Sequence, residues 1–288
     1  MKIVLTSFVI FIILILLEIR RELSFFKSVK YEIKVPGLKE EKTVVFLSDL
    51  HNHEYGNKNE GLLKAIRKEQ PDLILVGGDM LVSKSGHSFQ VAYEFVKYLP
   101  DICPVYCANG NHEQRMKIHP ERYDISYAKY QEQLIKDGVH FLENDSAYLY
   151  YEKINVKITG LEIPLRCYTH FRKENMETQE IVDRIGEKEA GVFEILLAHN
   201  PSYMKHYLER GADLILCGHL HGGIVRIPGV AGAISPSFEI FPRYSGDHYR
   251  KADTDIVVSK GLGTHTFNIR LFNPAEIVVL KLQGEKEK

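Results

Sequence analysis

Five short apolar runs in this chain each end in Asp, Asn or His, and no other feature constrains the fold as much. Residues 43–47 lead into Ser48-Asp49-Leu50-His51. Residues 73–76 lead into Gly77-Gly78-Asp79, and residues 105–108 into Asn109-Gly110-Asn111-His112-Glu113. Residues 195–198 run into His199-Asn200-Pro201, and residues 214–217 into Gly218-His219-Leu220-His221-Gly222-Gly223. Short β-rich apolar runs bounded by Gly and polar residues are read as buried strands. In open α/β sheets, sites gather at the carboxyl ends of such strands. Five repeats of the pattern, all with side chains that suit hard or borderline metal ions, imply a metal centre assembled at one end of a sheet.

Bulk composition sets the other bounds. The chain has 288 residues, 44% hydrophobic and 26% charged, which is ordinary for a globular protein with a large core. A formal net charge of −1 leaves no basic surplus to neutralise phosphates along a nucleic acid, so no nucleic-acid partner is expected. Cys103, Cys107, Cys167 and Cys217 are scattered, without a Cys-x-x-Cys pair. They predict neither a disulfide framework nor thiolate metal ligation, and they favour a reducing compartment.

The N-terminus differs in kind. Residues 3–17 are apolar apart from Thr6 and Ser7, and Lys2 precedes them. With Met1, Lys2 and Ile19 added, the segment approaches the minimum for crossing a bilayer core about 30 Å thick. A cleaved signal peptide is the rival reading, but no small-x-small cleavage site follows. The segment is apolar on every face, which disfavours a core helix. Residues 1–19 are therefore read as a single-pass anchor in the cell membrane. Arg20, Arg21, Lys27 and Lys30 follow the segment, so the positive-inside bias puts the soluble domain on the cytoplasmic face.

Residues 20–42 are read as a linker and a first edge strand, with residues 18–28 as the linker and residues 29–35 as the strand. The main domain is assigned to residues 43–283 and a charged tail to residues 284–288. Helices are predicted over residues 59–70, 88–99 and 120–137, giving a β-α-β-α-β-α first half that calls for parallel strands. A β-hairpin is predicted at residues 147–159. Helices follow at 176–188 and 202–210, a long loop at 226–250, and closing strands at 255–259 and 276–282.

The ordered set Asp49-x-His51, Gly78-Asp79, Gly110-Asn111-His112-Glu113, His199 and Gly218-His219-x-His221 resembles the calcineurin-like metallophosphoesterases. The resemblance covers roughly residues 43–283. The Gly218–Gly223 stretch, Gly261-Leu262-Gly263 and Asn273-Pro274-Ala275-Glu276-Ile277 look more narrowly like the membrane-anchored bacterial phosphodiesterase branch, related to UDP-diacylglucosamine pyrophosphohydrolases. The resemblance implies an α/β fold of two stacked mixed β-sheets flanked by helices, here preceded by the transmembrane helix. It further implies Asp49, His51 and His221 on one metal ion, Asn111, His199 and His219 on a second, and Asp79 bridging the two. Residues two apart in an extended chain point the same way, so each of the pairs Asp49/His51 and His219/His221 can aim at one centre if the backbone stays extended there. Imidazole and carboxylate ligands without thiolate suit Mn, Fe, Zn or Ni; Mn is the expected ion.

Two divalent ions (+4) against Asp49, Asp79 and a bridging hydroxide (−3) leave about +1, which attracts an anion. The expected function is metal-dependent hydrolysis of a phosphodiester or pyrophosphate, with attack by the hydroxide and His112 protonating the leaving group. The anchor points to a lipid-linked substrate. A phosphomonoesterase, or a non-catalytic metal-binding scaffold of the same fold, are the alternative readings. One position departs from the family pattern. Gly-Asp-x-x-Asp is common there, its second carboxylate orienting the catalytic histidine, whereas this chain has Val82.

Overall fold

The computed structural model describes residues 1–151, 154–169, 174–227, 231–235, 239–264 and 267–284. The apolar runs are strands because each can bury both of its faces. In chain order the first strands are β1 (Phe26–Lys34), β2 (Lys42–Leu47), β3 (Leu73–Val76), β4 (Val105–Cys107) and β5 (Val139–Phe141). Next come β6 (Asp145–Tyr151), β7 (Ile154–Leu161), β8 (Phe193–Ala198) and β9 (Leu214–Cys217). The last are β10 (Val225–Ile227), β11 (Ala231–Ile234), β12 (Asp247–Lys251), β13 (Thr254–Val258) and β14 (Ala275–Gln283). Two six-stranded mixed sheets form, ordered β1-β14-β2-β3-β4-β5 and β12-β13-β9-β8-β7-β6, and β10-β11 is a separate hairpin. The centres of both sheets are parallel, so the carboxyl ends of β2, β3, β4, β8 and β9 deliver the residues singled out above.

Side-chain alternation along each strand builds the layers. Val44 and Phe46 on β2 face the second sheet and pack with Leu75, Ile158, Ile195, Leu197, Leu216 and Val278. Val45 and Leu47 face the other way, toward helices α2 (Glu60–Lys68), α3 (Gln90–Val96) and, after α4 (Asn111–Ile118), α5 (Tyr127–Lys136). On the far side, Leu196, Ile215 and Ile256 meet α6 (Thr178–Ile185) and α7 (Met204–Arg210) through Ile181, Met204 and Tyr207. The result is helices, sheet, sheet, helices: the two stacked sheets expected from the resemblance.

Several boundaries differ from the sequence reading. The N-terminal helix α1 runs Lys2–Leu23 and β1 starts at Phe26, so the predicted linker at 18–28 shrinks to Ser24-Phe25. Glu18 and Arg21 pair at 2.7 Å with the three-residue spacing that supports a helix. The helix predicted over 120–137 is a 3-10 turn at Pro120–Arg122 and then α5, restarted where Ser126 Oγ accepts the Lys129 N–H. α4 was not anticipated; it begins at the metal-ligand motif itself. The stretch 226–250 contains β10, β11 and β12, whose short pairings are hidden by Gly, Pro and aromatics without a clear period. Of the charged tail, residues 285–288 lie outside the described residues.

Phe46 sits at 0% exposure between the sheets, and Phe46→Ala should destabilise the protein by about 3–5 kcal/mol. Urea unfolding of the detergent-solubilised chain should show a lower midpoint with an unchanged slope; an unmoved midpoint would mean the inter-sheet layer is not the core.

Candidate metal centre

The seven side chains picked out in the sequence are delivered by five strand ends that lie next to one another, and the structure brings them together. Ligand atoms of Asp49, His51 and His221 lie within 4.8 Å of one another, and so do those of Asp79, His199 and His219. Asp79 stands between the groups: its Oδ2 is 3.1 Å from His199 Nε2 and 3.8 Å from His51 Nε2. His112, with His51 and Asp79, forms a third overlapping group. His51 Nε2 and His221 Nε2 approach to 3.1 Å with their rings stacked.

The backbone does not stay extended, as the pairing of Asp49 with His51 and of His219 with His221 seemed to require. Asp49 (φ 55°), His51 (φ 47°), Asp79 (φ 52°), His219 (φ 69°) and His221 (φ 52°) are all left-handed. Each such residue costs roughly 1–2 kcal/mol, and strain of this kind clusters at functional sites. The strands end, the chain turns back sharply, and the side chains converge because of the turns. Close approach also requires glycine at two points. A Cβ on Gly218 would lie 2.2 Å from Asp49 Oδ2, and one on Gly110 would lie 2.2 Å from Asp79 Oδ1.

Hydrogen bonds fix the carboxylates. Asp49 accepts from the His219 N–H at 3.0 Å and from Ser48 Oγ at 2.5 Å; Asp79 Oδ1 accepts from the His112 N–H at 2.8 Å. Glu113, the last residue of the Gly110-Asn111-His112-Glu113 motif, holds the loops around it. Its carboxylate accepts from the N–H groups of Asp79 (2.8 Å), Met80 (2.8 Å) and Gly110 (3.0 Å). It thereby clamps the β3 and β4 loops while supplying the acidic N3 residue of α4. Burial, with the nearby Asp79 charge, pushes Glu113 up to about 8.

The acceptor set fits divalent cations. Burial pushes Asp49 up to about 6. For Asp79, burial acts in the same direction and is the largest single influence, but the surrounding imidazoles, His199 foremost, together outweigh it and the carboxyl falls well below the usual range. Burial opposes the charge on His199 too, yet Asp79 and Asp49 raise this imidazole to about 10. Its Nδ1 donates to the Gly77 carbonyl at 2.7 Å, leaving Nε2 directed at Asp79. Burial and then the His199 charge push His219 well down, so it is a neutral acceptor. In one orientation the Asn111 amide nitrogen donates to His219 Nδ1 and its oxygen accepts from Arg115 Nη1, both at 3.0 Å. Turned over, the amide sets two acceptors face to face, an arrangement that a shared cation satisfies.

The absence of an acid at Val82 is met by the next residue. The Ser83 N–H donates to His112 Nδ1 at 2.8 Å, and Ser83 Oγ lies 2.8 Å from the same nitrogen. An Nδ1 that accepts an N–H carries no proton, so the ring proton is on Nε2. Nothing in the sequence pattern marked Ser83. Arg270 was missed for a similar reason, and Asn273, quoted above as part of a motif, was given no role there. Arg270 is fully buried and donates to the Gly263 carbonyl at 2.6 Å, the carbonyl that His221 Nδ1 contacts at 3.1 Å. Asn273 donates to the carbonyls of His221 and Gly223, both at 2.6 Å.

A two-sheet α/β sandwich with buried carboxylates and imidazoles converging at its strand ends is the architecture of a metal-dependent phosphate-ester hydrolase. Residues 42–223 match the family model described as "Calcineurin-like phosphoesterase", and the chain belongs to that family of hydrolases acting on phosphate esters. It is 25% identical over 267 residues to "Phosphodiesterase YaeI" of Escherichia coli, covering 92% of this chain and 87% of that protein. It is 23% identical over 244 residues to "Uncharacterized metallophosphoesterase YkuE" of Bacillus subtilis, covering 84% and 79%. Among solved structures, "Phosphopantetheinyl Hydrolase (PptH)" of Mycobacterium tuberculosis aligns with a TM-score of 0.45 and 12% identity, covering 77% of this chain and 90% of that one.

Metal binding should release protons, because His199 holds one up to about pH 10 and Asp49 takes one below about pH 6. Apparent affinity for Mn²⁺ should therefore rise with pH through neutrality and fall more steeply below about pH 6. Calorimetry in buffers of different ionisation enthalpy counts the protons, and a count of zero at pH 7 would contradict the assignment of His199. Glu113→Gln, which sets an amide N–H₂ against backbone donors, should lower metal affinity by about 10–100-fold; wild-type affinity in a folded variant would show that the clamp is dispensable.

Proposed function

We propose that this chain is a membrane-anchored phosphohydrolase that cleaves a phosphodiester or pyrophosphate, with two divalent ions, Mn²⁺ favoured, held by the seven residues above. The observation that carries this reading is the position of Asp79, a buried carboxylate with Asp49, His51 and His221 on one side and His199 and His219 on the other. Asp49, His51 and His221 would hold one ion, Asn111, His199 and His219 the other, and Asp79 both. When bound, the ions would supply Lewis acidity toward the phosphoryl oxygens and lower the pKa of a water.

The protein's own part centres on His112. With its proton on Nε2, the ring offers a neutral N–H to charge developing on a phosphoryl or leaving-group oxygen. A neutral imidazole is a far weaker acid than an imidazolium, so a leaving group that departs without full protonation suits this site. Pyrophosphates and phosphate diesters with acidic alcohols meet that condition; simple alkyl monoesters do not. The Ser83 N–H and hydroxyl take over the orienting task of the missing carboxylate. Their polarity is reversed: they donate to Nδ1 where a carboxylate would accept from it.

The membrane part of the reading is supported by α1, with 22 residues, mean hydropathy 2.6 in its most apolar window, and no burial of that window against the rest of the chain. Arg20 and Arg21 in its last turn favour the cytoplasmic face for the domain. A lipid-linked phosphate ester is the substrate class that such placement favours.

The test is hydrolysis of bis-p-nitrophenyl phosphate against p-nitrophenyl phosphate by the purified Mn²⁺-loaded chain. Diester turnover that disappears in Asp79→Asn is expected; bound metal without turnover of either ester would make the chain a scaffold, and a strong monoester preference would make it a phosphomonoesterase. His112→Ala should lose about 10²–10⁴ in kcat, more for poor leaving groups than for nitrophenol, with metal retained. Ser83→Ala, which keeps the backbone N–H, should lose about tenfold or less. Equal losses for alkyl and nitrophenyl esters in His112→Ala would remove the proton-donor role.

A further inference from the structure

The last turn of α1 is bonded directly to the loops that carry the metal ligands. Glu22, 1% exposed although only five residues beyond the apolar run, accepts from the Asn273 N–H at 2.5 Å. The Asn273 side chain in turn holds the carbonyl of His221. The Leu23 carbonyl is 2.9 Å from His53 Nε2, two residues after His51. Phe26 packs edge-on against Tyr55, with ring centroids 5.1 Å apart, and Tyr55 donates to the Leu262 carbonyl. With two residues between helix and strand and these bonds across the junction, the domain has no slack with respect to α1.

A second observation concerns the surface around that junction. Ile269 and Phe272 lie in the segment that ends at Asn273 and are 38% and 48% exposed; Phe25, at the end of α1, is 45% exposed. The Val225–Leu271 bridge ties this segment to the β10-β11 hairpin, where Ile227 is 41% exposed, and the Ile234–Ile240 bridge ties that hairpin to Ile240 and Phe241, 72% and 56% exposed. Large apolar side chains gathered on connected loops mark an interaction site more than scattered ones do.

Axial distance along α1 identifies the partner. At about 1.5 Å per residue, Glu22 lies about 7 Å beyond Leu17, the last residue of the apolar run. The polar layer on each face of a bilayer is about 5–7 Å deep. If α1 spans the membrane, the loops bonded to Glu22 and Leu23 are held at the depth of the lipid headgroups, where Arg20 and Arg21 meet phosphates and aromatic or aliphatic side chains reach the acyl boundary.

We propose that Ile227, Ile240, Phe241, Ile269 and Phe272 form an apolar lip that dips into the bilayer interface beside α1, and that the centre receives a phosphate ester whose lipid tails remain in the membrane. The proposal rests on the membrane-spanning reading of α1 given above. It adds that the domain lies on the bilayer in a fixed orientation instead of swinging on a tether, with His221 and His51 tied to the same junction as the anchor.

The chain contains no Trp, which makes single-Trp scanning direct. Full-length Phe11→Trp, Phe272→Trp, Ile240→Trp and Tyr150→Trp variants are reconstituted in phosphatidylcholine/phosphatidylglycerol vesicles without bromine, or with bromine on the acyl chains both near the headgroup and deep in the bilayer. Bromine should quench Trp at 11, 272 and 240 and leave it unchanged at 150, an exposed position on the outer strand β6. Quenching at 11 without quenching at 272 or 240 would overturn the lip while leaving the anchor in place. No quenching at 11 would overturn the spanning reading and the proposal with it. Blue-shifted but unquenched emission at 272 and 240 would mean that a second protein copy covers the face, which also overturns it. Turnover of bis-p-nitrophenyl phosphate, followed in the same samples, reports on the phosphohydrolase reading separately. Phe272→Ser with Ile240→Ser should raise KM for a vesicle-embedded phosphodiester and leave the soluble diester unaffected.

Discussion

A carboxylate buried between two sets of imidazoles cannot persist without compensation, and most of the structure around Asp79 is explained by that constraint. The His199 imidazole stands 3.1 Å from its Oδ2, and despite burial the Asp79 charge raises that imidazole to about 10; bound cations would balance the carboxylate further. Its backbone is left-handed at φ 52°, a conformation that needs outside support. The support is Glu113, which accepts the N–H groups of Asp79 and Met80 and that of Gly110 across the gap between β3 and β4. Gly110 is glycine because Asp79 leaves no room for a Cβ. Removing one member of this set exposes the others to an unpaired buried charge, the most costly kind of polar defect.

The same logic extends outward through His221. Its Nδ1 faces the Gly263 carbonyl, that carbonyl is held by buried Arg270, and the His221 carbonyl is held by Asn273. Asn273 is bonded to Glu22 of the N-terminal helix. Ring orientation at a ligand is therefore linked to the seating of α1 through a continuous chain of hydrogen bonds. Orientation of ligating histidines by their second nitrogen is a general device of metal sites; here it reaches as far as the apolar helix.

Much of this was legible in the sequence because the strands are strongly patterned. Runs such as 44–47 and 214–217 have no polar residue, which only a strand buried on both faces tolerates, and the motifs at their ends fixed which residues meet. Backbone conformation was not legible. Asp49-x-His51 reads as an extended pair, but its left-handed turns depend on contacts with Gly78, Asp79 and His219, which come from distant strands. Ser83 could not be found from a motif because it acts largely through its main chain, which any residue other than proline could supply. Glu22 belongs to no motif, and the backbone N–H it accepts is 251 positions away. Helix α4 was hidden because its start coincides with metal-ligating residues that carry no apolar period, and only the acidic Glu113 signals an N-terminus.

The most direct test of the central claim is anomalous diffraction from crystals of the Mn²⁺-loaded chain, collected on either side of the manganese absorption edge. Two adjacent peaks, both within coordination distance of Asp79 and flanked respectively by His51 with His221 and by His199 with His219, are predicted. A single peak away from Asp79, or none at saturating Mn²⁺ in a protein that still hydrolyses diesters, would contradict the account.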